Sequence, residues 1–212
     1  MVIAIDGPAG AGKSTEARGV AKALRFTYLD SGAMYRCVAL AALDRQMDVE
    51  DGERLGDLAW GLAIDFEGDT VHLDGKPVAG RIRSPEVTVA ASKVSVHPQV
   101  RQAMVKRQRE LIAAGRYVAE GRDIGTVVSP DSPLKVFLTA TTEERARRRA
   151  AETGQSVAEV REAMEDRDSR DQSRKHGALR AADDSVAVDT TDLSPDQVVE
   201  KIAELARERG IA

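Results

Sequence analysis

One cysteine in 212 residues, Cys37, leaves no internal disulfide and no cysteine-built metal centre. The three histidines, His72, His97 and His176, stand too far apart for a triad or a histidine metal site, and they read as structural or surface residues. Aromatics amount to 3% of the chain and never interleave with basic residues, which excludes a stacking platform for single-stranded nucleic acid. Trp60 and the other scattered rings read as packing residues. No stretch approaches the roughly 18 apolar residues that a membrane span needs. Nor is there an excess of positive charge: 31 Lys and Arg face 35 Asp and Glu, a formal charge of −4, with no polybasic arm. Any affinity for phosphate must therefore be local rather than a property of the whole surface. Together these absences predict a soluble, untargeted, cytoplasmic protein, a monomer, with small-molecule partners and neither nucleic acid nor membrane.

What the chain has in quantity is alternation. Residues 2–6, VIAID, form a short apolar run closed by Asp and Gly, and Ala17, Val20, Ala21 and Leu24 then recur at helical spacing. Between the two lies GPAGAGKST. The spacing GxxxxGK[ST], set by Gly7, Gly12, Lys13 and Ser14 between a strand and a helix, is the context a phosphate-binding loop requires. Glycines let successive backbone N–H groups turn toward phosphate oxygens, and the helix N-terminus adds partial positive charge. Gly7, Pro8, Ala9, Gly10, Ala11, Gly12, Lys13, Ser14 and Thr15 are thus read as the loop that binds ATP or GTP. Lys13 would bridge the β- and γ-phosphates, and Ser14 would offer its hydroxyl to Mg²⁺ as the metal ligand.

Further runs of the buried-strand kind are FTYLD at 26–30, RYVAEG at 116–121, LKVFLTA at 134–140 and SVAVDTT at 185–191. Each is separated from the next by enough chain for a crossover helix. The expectation is an α/β fold: a five-stranded parallel sheet with helices on both faces and the glycine loop following its first strand. Ser31 is read as the cap of the helix over 33–46. Residues 64–83 break the rhythm with alternating apolar and polar residues around Gly-Asp and Asp-Gly pairs, a hairpin signal. One long helical reach over 85–114 follows. A core of 1–31 and 114–212 with an inserted substrate-side subdomain at 32–113 is the predicted organisation. The arginine-rich stretch 142–174 reads as two helices with a turn near Gly154.

Three more segments carry charge in a pattern: DSGAMYR at 30–36, EGRDIGTVV at 120–128 and RDSRDQSR at 167–174. With GPAGAGKST, AASKVSVHPQVR, LKVFLTA, EERARRR and DTTDLSPDQVVEKI in this order, nearly the whole chain resembles the bacterial cytidylate kinases. That family of P-loop nucleoside monophosphate kinases phosphorylates CMP and dCMP from ATP. The resemblance implies that Arg36, Arg122 and Arg174 hold the acceptor phosphate. It puts Ser31, Arg101 and Asp123 on the cytosine, Ser92 beside the nucleoside, Tyr35 in the acceptor site, and Arg167 and Asp171 on the sugar. The segment from about 142 to 160 would be a short helical lid in the NMP-kinase manner, with Arg145, Arg148 and Arg149 starting it. Lys13, Arg122, Arg174, Arg145 and Arg149 are the catalytic candidates.

Elementary chemistry agrees with this assignment. Two polyanions can approach only if several guanidinium groups converge on them. A carboxylate accepts from the exocyclic amine of cytosine and would face the uracil carbonyl unpaired. No general base is needed where the acceptor is already a phosphate anion. For single residues other readings stay open: Ser31 as a cap, Asp123 as an arginine's partner, Arg167 and Asp171 as an i,i+4 ion pair. For the whole chain, the alternatives are a kinase of UMP, another monophosphate or a small metabolite, and a nucleotide-hydrolysing switch. A switch would carry a strand-borne Asp for Mg²⁺, which LKVFLTA lacks. The chain departs from the family pattern where KHGALRAADD follows Arg174 instead of a proline-containing stretch, and at Ser129, where an aromatic is frequent.

Overall fold

A computed structural model describes residues 1–211. Strand β1 (Val2–Asp6) is buried at every position, as a strand covered on both faces must be, and it leads through the glycine loop into α1 (Lys13–Leu24). Strand β2 (Thr27–Asp30) runs directly into α2 (Ser31–Asp44). After α3 (Gly52–Gly61) come the short strands β3 (Ile64–Glu67), β4 (Thr70–Leu73) and β5 (Lys76–Pro77), a 3-10 turn (Arg81–Arg83), α4 (Pro85–Val94) and α5 (Pro98–Ala113). The chain then returns through β6 (Tyr117–Gly121), a π-helical turn (Ile124–Val128), β7 (Leu134–Thr139), α6 (Thr142–Thr153), α7 (Val157–Ser173), β8 (Val186–Asp189) and α8 (Pro195–Glu208).

Two compact units result: Met1–Leu29 together with the chain from Ile112 onward, and Asp30–Leu111. The first is built on a five-stranded parallel sheet in the order β2-β6-β1-β7-β8. Strand β1 sits at its centre, with Asp6 opposite Gly121 of β6 on one side and opposite Phe137 of β7 on the other. That register brings the ends of β1, β6 and β7 to one edge, where the glycine loop begins. Ile3, Ile5, Val136 and Leu138 pack with Ala17, Val20 and Ala21 of α1 and with Val198, Ile202 and Ala206 of α8 in a continuous apolar core. A smaller cluster of Ala9, Ala146, Ala150, Val160 and Met164 joins the loop to α6 and α7. In the second unit β3, β4 and β5 form an antiparallel sheet, and α2 packs against α4.

Several local expectations are corrected. The cap of α2 is Asp30, whose carboxylate accepts from Ala33 N at 2.9 Å, and Ser31 is the first helical residue. The reach over 85–114 is two helices, because Pro98 disfavours helical backbone at the residue before it. Helix α3, unanticipated, is capped by Asp51 and carries three glycines that lower its propensity. A Cβ on Gly56 would stand 2.4 Å from Cβ of Gln99, so the absent side chain is what lets α5 approach. Trp60 is 48% exposed rather than packed, with the Lys106 ammonium 5.2 Å from its ring centroid.

Candidate active site

The glycine loop is shaped by contacts on both sides. Gly7 has φ +155° and lies so close to β7 that a Cβ would come 2.4 Å from the Leu138 carbonyl oxygen. Gly10, at φ +73°, abuts α6, where a Cβ would meet the Arg145 carbonyl oxygen at 2.9 Å. No L side chain fits either position without moving backbone. Lys13, in the first turn of α1, is buried, and its ammonium donates to the Pro8 carbonyl at 2.7 Å. Burial and the neighbouring Arg122 charge pull its pKa down to about 7. Ser14 and Thr15 are exposed at the mouth of the loop.

Three carboxylates not apparent from the motifs, those of Asp168, Glu120 and Glu16, act on this loop or on Lys13. Asp168 of α7 accepts from Ala9 N at 3.0 Å and pairs with Arg145 at 2.5 Å, while Arg145 also donates to the Ala9 carbonyl at 2.8 Å. Glu120, the penultimate residue of β6, accepts from the Tyr28 hydroxyl at 2.5 Å, and the Arg18 guanidinium lies 4.6 Å from the Tyr28 ring centroid. Glu16 is buried against Gly12, with Oε2 lacking a hydrogen-bond partner among the described residues, and burial pushes its pKa up to about 7. Lys135 of β7 is buried and paired with Asp184 at 2.8 Å.

Beyond β6 the arginines gather on one acid. Asp171, fully buried, accepts from Arg122 Nε at 2.8 Å and from Arg174. Burial alone would raise its pKa, but the charges of Arg122, Arg174 and Arg167 outweigh that and hold it below the usual carboxylate range. Burial likewise opposes the charge of Arg122, and Asp171 more than compensates. Arg122 also donates to the Gly7 carbonyl at 3.1 Å, which ties the arginine group to the start of the glycine loop. Asp123 is buried at the head of the π-helical turn, its carbonyl accepting from Val127 and Val128.

Of the arginines on α6, Arg145 is committed to Asp168 and Ala9. Arg148 donates to Glu144 at 2.9 Å and to the carbonyl of buried Thr190 at 2.6 Å. Arg149 pairs at 2.8 Å with Glu152 on the outer face, where both side chains are more than a third exposed.

The second unit holds the remaining candidates. Arg36 of α2 donates to the Ile82 carbonyl at 3.0 Å and to the Thr88 hydroxyl at 2.7 Å. Arg101 of α5 is buried with its guanidinium 5.7 Å from the Tyr35 ring centroid. Ser31 and Ser92 are buried. His97 bonds the Val49 carbonyl at 2.8 Å.

The family model described as cytidylate kinase matches residues 3–208. The chain is also 47% identical over 210 residues to the cytidylate kinase of Caldanaerobacter subterraneus subsp. tengcongensis, covering 97% of this chain and 94% of that one. It is 46% identical over 220 residues to the cytidylate kinase of Solibacter usitatus, covering 99% and 93%. The chain belongs to the cytidylate kinase family. Among solved structures, a sugar kinase from a Janibacter species superposes with a TM-score of 0.51 at 15% identity, covering 100% of this chain and 97% of that one. An uncharacterized protein from Eubacterium ventriosum gives 0.55 at 11% identity, covering 98% of both. Both share the fold alone.

The Ala9–Asp168 bond spans 159 residues and the Tyr28–Glu120 bond 92, so neither pair is readable from neighbouring positions. The one signal in the sequence was that acids alternate with the arginines in RDSRDQSR.

Proposed function

We propose that the chain transfers the γ-phosphoryl group of ATP in line to CMP and dCMP, giving CDP and dCDP. The observation that carries this reading is the arginine group centred on buried Asp171, joined through Arg122 to the first residue of a glycine loop that holds Lys13. A loop for one phosphate chain and a guanidinium cluster for a second phosphate are what a transfer between two phosphate esters needs.

In this reading residues 7–15 hold ATP. Lys13, whose charge is weakened by burial in the free protein, has its ammonium form favoured by the donor phosphates. Arg122 and Arg174 bind the acceptor phosphate together with Arg36. Ser31, Arg101 and Asp123 read the cytosine, with Tyr35 and Ser92 lining the nucleoside, and Arg167 and Asp171 attend the sugar. Asp171 has a further role as the anion that keeps like-charged arginines together. Residues 142–160 serve as the lid. Arg145 supports transfer through the loop it grips, and Arg149, which pairs with Glu152 on the exposed face of α6, is read as a lid arginine that would reach the phosphates only on lid closure.

The residues fit a Mg²⁺ ion carried mainly by nucleotide phosphates. The Ser14 hydroxyl is exposed beside Lys13, and no cluster of three His, Cys, Asp or Glu side chains forms a protein cage among the described residues. When bound with ATP, such an ion would offset negative charge on the β- and γ-phosphates. A cytoplasmic monomer acting in pyrimidine nucleotide metabolism goes with this reading. Its one thiol, Cys37, is buried and pushed up to about 12, and no helix among the described residues is long and apolar enough to cross a membrane.

Steady-state kinetics of Arg122→Ala test the proposal. The acceptor KM should rise roughly 10- to 100-fold, the worth of a lost charged hydrogen bond, with the ATP KM within a few-fold of wild type. An unchanged acceptor KM would remove Arg122 from the site.

A further inference from the structure

The carboxylate of Asp6 is the last side chain of β1, and it is buried to 5% exposure. Its two oxygens accept from Ile124 N and Gly125 N, each at 2.8 Å. These are the opening N–H groups of the π-helical turn, which has no earlier carbonyl of its own to satisfy them. One residue further on, the Gly7 carbonyl accepts from Arg122. The junction between β1 and the glycine loop is thus fastened twice to the segment 122–125, once by a side chain accepting from backbone and once by backbone accepting from a side chain.

We propose that Asp6 is a positioning residue for the acceptor side of the reaction: by holding the backbone that follows Arg122 and Asp123, it fixes where those two side chains stand relative to the glycine loop. The inference rests on the reading of Arg122 and Asp123 as acceptor residues. Two convergent N–H donors require an acceptor on both oxygens, which a carboxylate supplies and an amide does not. A neutral isostere would leave an NH₂ group facing an N–H.

The surroundings make this clamp sensitive to protonation. Asp123 on the turn is a like charge, and Lys13 of α1 an opposite one. On β7, the stem of Lys135 packs over Gly125 while its ammonium is engaged by Asp184. On β6, Glu120 is engaged by Tyr28, and the charge of Arg122 is matched by Asp171. Burial dominates, and the Asp6 carboxyl is raised to about 6. Below that pH one oxygen carries a proton and stops accepting.

The test is Asp6→Asn assayed with ATP and CMP from about pH 5 to about pH 8. At the alkaline end the variant's acceptor KM should be roughly tenfold above wild type, with its ATP KM within twofold. The wild-type to variant ratio of kcat/KM for CMP should fall toward one as the pH drops through about 6, because wild-type Asp6 is then neutral too. The acceptor phosphate's own titration is common to both enzymes and cancels in the ratio. A ratio that stays flat with pH, or an equal rise in both KM values, overturns the inference. If the variant does not fold, amide NMR of wild type takes its place: the Ile124 and Gly125 N–H resonances should titrate together near pH 6, and resonances that do not move overturn the inference. Arg122→Ala, run alongside, separates the two claims. If it raises the acceptor KM and Asp6→Asn does not, the positioning role alone fails; if Arg122→Ala leaves the acceptor KM unchanged, the underlying site reading fails.

Discussion

Arg145 and Asp168 stand on successive helices, α6 and α7, and form a 2.5 Å ion pair that closes around one residue of the phosphate loop. Arg145 donates to the carbonyl of Ala9 and Asp168 accepts from its N–H, so both backbone polar groups of that residue are held by the pair. The loop's shape therefore depends on a contact made 136 and 159 residues away.

Removing either partner strands a buried charge and releases the loop. Arg145→Ala and Asp168→Ala should each lose about 3–5 kcal/mol in urea unfolding, and the double variant should lose clearly less than their sum. An Arg145→Ala protein as stable as wild type but slow in turnover would mean that the side chain serves the nucleotide and not the loop.

Gly7→Ala should fail at the other side of the same loop. Its Cβ would overlap the Leu138 carbonyl at 2.4 Å in a backbone conformation that L residues rarely adopt. ATP binding measured by calorimetry should be lost, with thermal stability reduced. Wild-type affinity would show that β7 can yield.

Much of this arrangement was legible from the sequence, and the reason is burial. Strands covered on both faces read as apolar runs, so β1, β6 and β7 fall within a residue of expectation, while the edge strand β8, where only Val188 is fully buried, falls within two. The glycine loop is legible because its spacing and context are local. What escaped is long-range or competitive. Asp30 and Ser31 both suit a helix cap, and the residue left in extended backbone at the end of β2, Asp30, takes the position. Helix α3 was hidden by its three glycines, of which Gly56 is the one that lets α5 approach. Asp6, Glu120 and Asp168 have partners 118, 92 and 159 residues away, and no window of sequence contains either pair member's reason for being there.

Acid should expose the role of Asp171. Its folded pKa is depressed below the usual value near 3.9, so its contribution to stability is complete above that value and is lost as pH falls through the folded pKa. Asp171→Asn should flatten the dependence of unfolding free energy on pH below about 4, and should also raise the acceptor KM by loosening Arg122 and Arg174. An unchanged acid slope would mean that the arginines do not stabilise its charge.

Trp60, the chain's one tryptophan, lies open to solvent beside Lys106. Its fluorescence should be readily quenched by iodide, and Trp60→Phe should shift stability by less than about 1 kcal/mol, the scale of an exposed cation–π contact. A shielded emission would contradict the exposed placement.

A site that passes phosphate to a cytidine monophosphate must prefer that acceptor over other nucleoside monophosphates. A coupled assay with ATP and, in turn, CMP, dCMP, UMP and AMP tests it most directly. CMP and dCMP should have the highest kcat/KM, and Asp123→Ala should narrow their lead over UMP. A higher kcat/KM for UMP or AMP, or nucleotide binding with no acceptor phosphorylated, would contradict it.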